Sequence, residues 1–154
     1  MNSRVIFLPQ IIMPFTTIYV HLVWCTKNRD PFLKPELKKK LFQHIRFVGT
    51  EKKIHIDAMD GHLDHIHCLI SLKRTQSISQ VAKELKGCSS RWLSEKIPGY
   101  EGTIWQPEYY AVSVGPERLN QVRKYIRNQE IHHGAKKFED EMKEIGGFPE
   151  ATPE

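Results

Sequence analysis

The stretch Ile54-His55-Ile56-Asp57-Ala58-Met59-Asp60-Gly61-His62-Leu63-Asp64-His65-Ile66-His67-Cys68-Leu69-Ile70-Ser71-Leu72 decides the fold. Two β-rich runs, 54–59 and 65–72, flank the turn dipeptide Asp60-Gly61, which is the pattern of an antiparallel hairpin. Strand side chains alternate, so Ile66, Cys68, Ile70 and Leu72 share one face, suited to a core. His65 and His67 share the other, with Cα atoms about 7 Å apart.

The flanking sequence supplies the rest of a layered domain. Upstream, Thr17 to Thr26 alternates Ile18, Val20, Leu22 and Trp24 against Tyr19, His21, Val23 and Cys25, which predicts a strand. Asn28-Arg29-Asp30-Pro31 turns the chain. From Pro35, Leu37, Leu41, Phe42, Ile45 and Val48 fall at helical spacing, with a stop at Gly49. Downstream, Ser77 caps a helix carrying Ile78, Val81, Leu85, Trp92 and Leu93, which ends before Pro98-Gly99. Ile104 to Val114 reads as a fourth strand interrupted by Pro107. Gly115-Pro116-Glu117 opens a final helix through about His133, with Leu119, Val122 and Ile126 as its apolar stripe. A short helix after Gly134 to Ile145 and a loose, Gly- and Pro-bearing terminus complete the chain. The order β-α-β-β-α-β-α predicts an α+β two-layer sandwich: an antiparallel four-stranded sheet with helices packed on one face and an additional C-terminal helix. This arrangement resembles the ferredoxin-like folds.

A length of 154 residues fits one domain with a single core, and a 40% hydrophobic, 27% charged composition fits an ordinary soluble protein. The net charge of +5 favours polyanionic partners. Cys25, Cys68 and Cys88 are odd in number and far apart, with neither metal-ligand spacing nor a disulfide framework. That usage fits a reducing cytoplasm and small buried packing roles. No apolar run is long enough to span a membrane. The segment from Val5 to Ile12 is broken by Pro9, followed by Pro14, and lacks a small-residue cleavage site, so it does not read as a signal peptide. The expected division is an N-terminal extension over 1–16, with Met13 as a candidate native start, a domain over 17–146 and a tail over 147–154.

Two imidazoles on one side of a strand can converge on a divalent ion. In a chain with eight histidines, the same pair also reads as strand histidines bonded to their neighbours. Asp64 is placed to orient an imidazole or simply to end the turn. Nothing in the sequence fixes the direction of His62, and His132-His133 fits helix-end carbonyls. On the last helix, Tyr125 and Gln129 are one turn apart and share a face. Gln129 offers a carbonyl oxygen suited to a hard cation. Tyr125 offers a phenol whose usual pKa near 10 makes it a poor nucleophile unless a nearby cation offsets the developing charge. Arg118, Arg123, Lys124 and Arg127 make this helix basic, as phosphate contact requires. An amphipathic helix with Tyr125 at its boundary accounts for the same residues without chemistry.

Three stretches together resemble the single-tyrosine HUH transposases of bacterial and archaeal insertion sequences, which mobilise single-stranded DNA. They are Tyr19-Val20-His21-Leu22-Val23-Trp24 with Thr26-Lys27, then Asp64-His65-Ile66-His67, then Tyr125-Ile126-Arg127-Asn128-Gln129. They occur in the family's order from about Thr17 into the tail. The resemblance implies that His65, His67 and Gln129 hold Mg²⁺ or Mn²⁺ and that Tyr125 attacks the scissile phosphate. Such an attack leaves a 5′-phosphotyrosine and a free 3′-OH. It further implies a homodimer that recognises hairpin-marked single-stranded ends, with Lys83, Lys86, Arg91 and the last helix as candidates for DNA contact. One branch of the family is associated with repetitive palindromic sequences. Two other readings remain open at this stage. One is a hairpin-binding regulator whose catalysis has lapsed. The other is a small metallohydrolase using His65, His67 and one of Asp57, Asp60 or Asp64.

Overall fold

The alternation in the first strand is resolved by two unlike surfaces. In the computed structural model, β1 (Tyr19–Cys25) sends Leu22 and Trp24 into one core and His21 and Val23 to the other side of the sheet. The structure describes residues 15–129 together with Asp140 and Lys143. The expectations for Met13, most of the N-terminal extension, His132-His133 and the loose terminus fall outside the described residues. So does most of the helix expected after Gly134.

After β1 a 3-10 turn, Lys27–Arg29, leads to α1 (Pro35–Glu51), which places Pro35 in its first turn, where a missing N–H costs nothing. Gly49 does not end this helix. It is buried within it, where a Cβ would meet Ile56 Cδ1 at 3.1 Å and the Ile54 carbonyl at 3.3 Å, so its smallness lets the helix approach β2. The stop comes at Lys53, whose φ of 56° breaks the helical path.

β2 (His55–Gly61) and β3 (His65–Ser71) form the expected hairpin, with its turn displaced to His62-Leu63-Asp64. Asp60 and Gly61 remain in the ladder because Gly61 lies opposite Ile66, where a Cβ would strike the His65 carbonyl. The hairpin also contains a bulge. Ile56 pairs with Ile70 but Ala58 pairs with Leu69, so Asp57 is an extra residue. The bulge puts Ile56 and Met59 on the same core face, which unbroken alternation forbids.

α2 (Ile78–Lys96) is capped as expected: Ser77 Oγ accepts from the Gln80 N–H at 3.2 Å, an arrangement generally worth about 1 kcal/mol. The fourth strand is shorter than its sequence implied. β4 spans Tyr110–Val114, while Trp105 makes only an isolated bridge to Thr26. Pro107 has no N–H for a ladder, and Lys86 Nζ instead donates to the carbonyls of Gln106, Pro107 and Glu108 at 2.7, 2.8 and 3.1 Å. Trp105 still enters the core, edge-on to Trp24 and donating from Nε1 to Ser89 Oγ at 3.0 Å.

The strands form one antiparallel sheet in the order β2-β3-β1-β4. α1 and α2 cover one face over a core built on Leu22, Trp24, Leu41, Ile45, Ile66, Ile70 and Leu85. After a 3-10 turn, Pro116–Arg118, the additional helix α3 (Leu119–Arg127) lies on the opposite face, its Val122 and Ile126 packed on Ala58 and Leu69. Cys25 and Cys68 are buried and Cys88 partly so. Burial raises the Cys25 and Cys88 thiols to about 11 and pushes Cys68 up further, so none is poised as a thiolate.

Candidate active site and metal centre

The sheet face beneath α3 carries His21 on β1 and His65 and His67 on β3. Opposite pairs share a face, and His67 stands opposite Val23 on one side and Asp60 on the other. His65 and His67 are both buried, with ring centroids 5.0 Å apart. The Nδ1 atom of each is already engaged. His65 Nδ1 bonds Asp64 Oδ1 at 2.7 Å, and His67 Nδ1 bonds His21 Nε2 at 2.9 Å. Nε2 is therefore the nitrogen each ring can present to a cation, and both Nε2 atoms are buried.

Asp64 is itself held. Its other carboxylate oxygen accepts from Arg29 Nε at 2.8 Å. Burial pushes the Asp64 pKa up, but the hydrogen bonds from His65 and Arg29 prevail and lower it to about 2. Arg29 reaches this position from a left-handed backbone, with φ of 57° after Asn28 at 54°. The carboxylate–imidazole arrangement fixes ring orientation and raises ligand basicity. His62 lies beside the pair, its ring 6.2 Å from that of His65.

α3 delivers Tyr125 to the same place. Its ring stands edge-on to His67 at 5.8 Å and to His21 at 6.3 Å between centroids, with a buried phenolic oxygen. The helix expected to carry both Tyr125 and Gln129 is interrupted between them at Asn128, and Gln129 is again helical. α3 ends at Arg127, and Asn128 N–H donates to the carbonyls of Lys124 and Tyr125. Gln129 follows this turn fully buried, its amide donating to the Tyr125 carbonyl at 3.4 Å. The contacts bring His65, His67 and Tyr125 together and tie Gln129 to the Tyr125 backbone. Two imidazole nitrogens with an amide oxygen would be a donor set suited to a hard divalent ion.

The carboxylates of the metallohydrolase reading are engaged by other side chains. Asp57 forms a two-pronged ion pair with Arg123, both contacts at 2.7 Å, and Asp64 is bound to His65 and Arg29. Asp60 accepts from the Gly61 N–H at 2.7 Å and lies 3.9 Å from Lys38 Nζ. Among the described residues, no group of three or more His, Cys, Asp or Glu side chains could hold a metal. The cations divide too. Lys86 and Arg123 have the intramolecular partners already given, whereas Lys83, Arg91, Lys124 and Arg127 are exposed and Arg118 is half-buried.

His21 is the site residue that sequence reasoning did not single out. Its spacing marked only a face of β1, and which strand stands beside it is a matter of register.

Comparison with known proteins gives this geometry a family. The family described as Transposase IS200 like matches residues 14–129. The chain belongs to the IS200-like transposases. It is 33% identical over 116 residues to the ISDra2 transposase TnpA of Deinococcus radiodurans, covering 71% of this chain and 81% of that one. A crystal structure assigned to a transposase of Deinococcus radiodurans R1 superposes with a TM-score of 0.61 at 28% identity, covering 75% of this chain and 93% of the other. A REP-associated tyrosine transposase bound to a REP hairpin shares the fold, with a TM-score of 0.62 at 18% identity over 82% of this chain and 75% of that one. As a member of the family the protein is a DNA transposase. Among the described residues, no helix is long and apolar enough to cross a membrane.

Proposed function

We propose that this transposase cleaves and rejoins single-stranded DNA at hairpin-marked element ends, with Tyr125 as nucleophile and with His65, His67 and Gln129 holding Mg²⁺ or Mn²⁺. The observation that carries the reading is the approach of the Tyr125 ring to His67, whose Nδ1 is already engaged. When bound, the divalent ion supplies Lewis-acid polarisation of the scissile phosphate and offsets developing charge. The Tyr125 phenol gives up its proton and its oxygen forms a bond to phosphorus. The bond to the 3′ oxygen breaks and that oxygen takes up a proton, balancing the one lost by the phenol and leaving a 3′-OH and a 5′-phosphotyrosine. Attack by a 3′-OH from another strand reverses these changes and releases the phenol, so no nucleotide is consumed.

The chain's own residues supply placement. α3 holds the phenol over the sheet, and the Arg29–Asp64–His65 chain fixes one imidazole. The exposed cations Lys83, Arg91, Lys124 and Arg127, with Arg118, are the proposed phosphate contacts. The hairpin-bound relative supports a hairpin as the recognised feature, and the reading includes a homodimer in the cytoplasm.

Incubating the protein with single-stranded hairpin-end DNA and Mg²⁺ tests this. A covalent protein–DNA adduct should form on a denaturing gel and be absent in Tyr125→Phe. Hairpin binding with no adduct under Mg²⁺ or Mn²⁺ would establish the lapsed regulator instead, and an adduct surviving in Tyr125→Phe would exclude the proposed nucleophile.

A further inference from the structure

We infer that His21 is a positioning residue for His67: it fixes the tautomer and direction of that imidazole so that Nε2 is presented to the divalent ion. The inference rests on the reading that His65 and His67 bind such an ion.

The cross-strand geometry is specific. His21 does not stand opposite His67. It pairs with Leu69, two residues along β3, so the two imidazoles meet diagonally across the β1–β3 ladder. The rings lie 5.1 Å apart at 30°, with His21 Nε2 and His67 Nδ1 at 2.9 Å. One of these nitrogens donates and the other accepts. Coordination through His67 Nε2 needs a lone pair there, which puts the His67 proton on Nδ1. His67 then donates and His21 Nε2 accepts, so His21 carries its own proton on Nδ1. One hydrogen bond thereby sets both tautomers.

A purely structural role explains this residue poorly. His21 is 1% exposed in a strand whose neighbours are Val20, Leu22 and Val23, and it stands between Leu69 and Val112. A leucine or valine would fill such a position without burying polar atoms. His21 also buries Nδ1, which has no hydrogen-bond partner among the described residues. Burying a polar atom in this way is destabilising, and it calls for a compensating use. The contact with His67 is that use. His65 is held by a carboxylate and His67 by a neutral imidazole, so the paired histidines have unlike supports.

Two measurements test the inference on the full-length protein. In the metal-free wild type, long-range proton–nitrogen NMR should show His67 and His21 each protonated at Nδ1. His67 protonated at Nε2 would overturn the proposal. In Mn²⁺ titrations followed by electron paramagnetic resonance, His21→Leu should bind about 10–100-fold more weakly, the usual loss when a ligand's supporting partner is removed. His21→Gln, whose carbonyl oxygen can accept from Nδ1–H, should recover most of that loss. Wild-type affinity in His21→Leu, or equal weakness in both variants, would overturn it. If His21→Leu does not fold, the tautomer measurement decides. His67→Ala separates the two readings. If Mn²⁺ binding is unaffected by that change, the metal site itself is wrong. If it is lost while His21→Leu binds normally, only the role of His21 fails.

Discussion

The site depends on single residues whose neighbours restrict them to one task. Asp64 faces His65 on one side and Arg29 on the other, and its pKa is held at about 2. An unfolded aspartate titrates near 4, so the folded-state value is depressed. The resulting stabilisation is fully present above about pH 4 and is lost as pH falls through about 2. Chemical denaturation should find Asp64→Asn about 1–2 kcal/mol less stable than wild type at pH 5, allowing for partial solvent screening, with the two curves converging near pH 2. A gap that persists unchanged at pH 2 would mean that shape rather than charge sets the contribution. Gly61 is constrained sterically, because a Cβ there would meet the backbone of His65 and Ile66. Backbone atoms cannot rotate away, so Gly61→Ala should destabilise the protein by about 1–3 kcal/mol. A thermal melt unchanged by that substitution would show that the β2–β3 strands separate easily.

At the scale of elements, the bulge in β2 has an evident consequence. The extra residue is Asp57, and its carboxylate receives both Nε and Nη2 of Arg123 from α3. A feature of strand pairing thus anchors the helix that carries Tyr125. Arg123→Ala should speed hydrogen exchange across α3 and reduce tyrosine–DNA adduct formation. The exchanged pair Asp57→Arg with Arg123→Asp should slow that exchange again. Uniform protection of α3 in Arg123→Ala would show that Val122 and Ile126 suffice to dock it. This pairing also marks the limit of what the sequence made legible. The seven elements and the division of β1 and β3 into two faces were readable because period and turn residues are local properties. The Arg123–Asp57 pair was not legible because a bulge leaves no local signature. Asp60-Gly61 read as the turn because the close approach of Gly61 to the His65 backbone depends on the facing strand. His21 was missed for a related reason: its partner is 46 residues away and meets it only through diagonal pairing. Gly49 looked like a helix stop because close approach to β2 cannot be read from one helix alone.

At the scale of the whole molecule, the question is which chain supplies the tyrosine to a given pair of histidines. α3 packs on its own sheet through Val122 and Ile126 and is tied to its own β2 through Asp57. The Tyr125 ring lies 5.8 Å from His67 of the same chain. In this arrangement the tyrosine stands beside the histidine pair of its own chain, so the expectation is a site whose phenol and imidazoles come from one chain. Mixing Tyr125→Phe protein with His67→Ala protein tests this directly, because each preparation lacks one essential group. If the site is built within one chain, the mixture should form no adduct with single-stranded hairpin-end DNA, since every site is missing either the phenol or a ligand. If α3 exchanged between partners, the mixed dimer would contain one site with its tyrosine and both histidines. Adduct should then appear at roughly a quarter of the wild-type yield: random pairing makes half of the dimers mixed, and each of those has one intact site of two. The covalent product identifies the donor as well, because only the His67→Ala chain still carries Tyr125. Adduct on that chain would show that α3 leaves the docked position in the working assembly, and the Asp57–Arg123 pair would then have to open for catalysis.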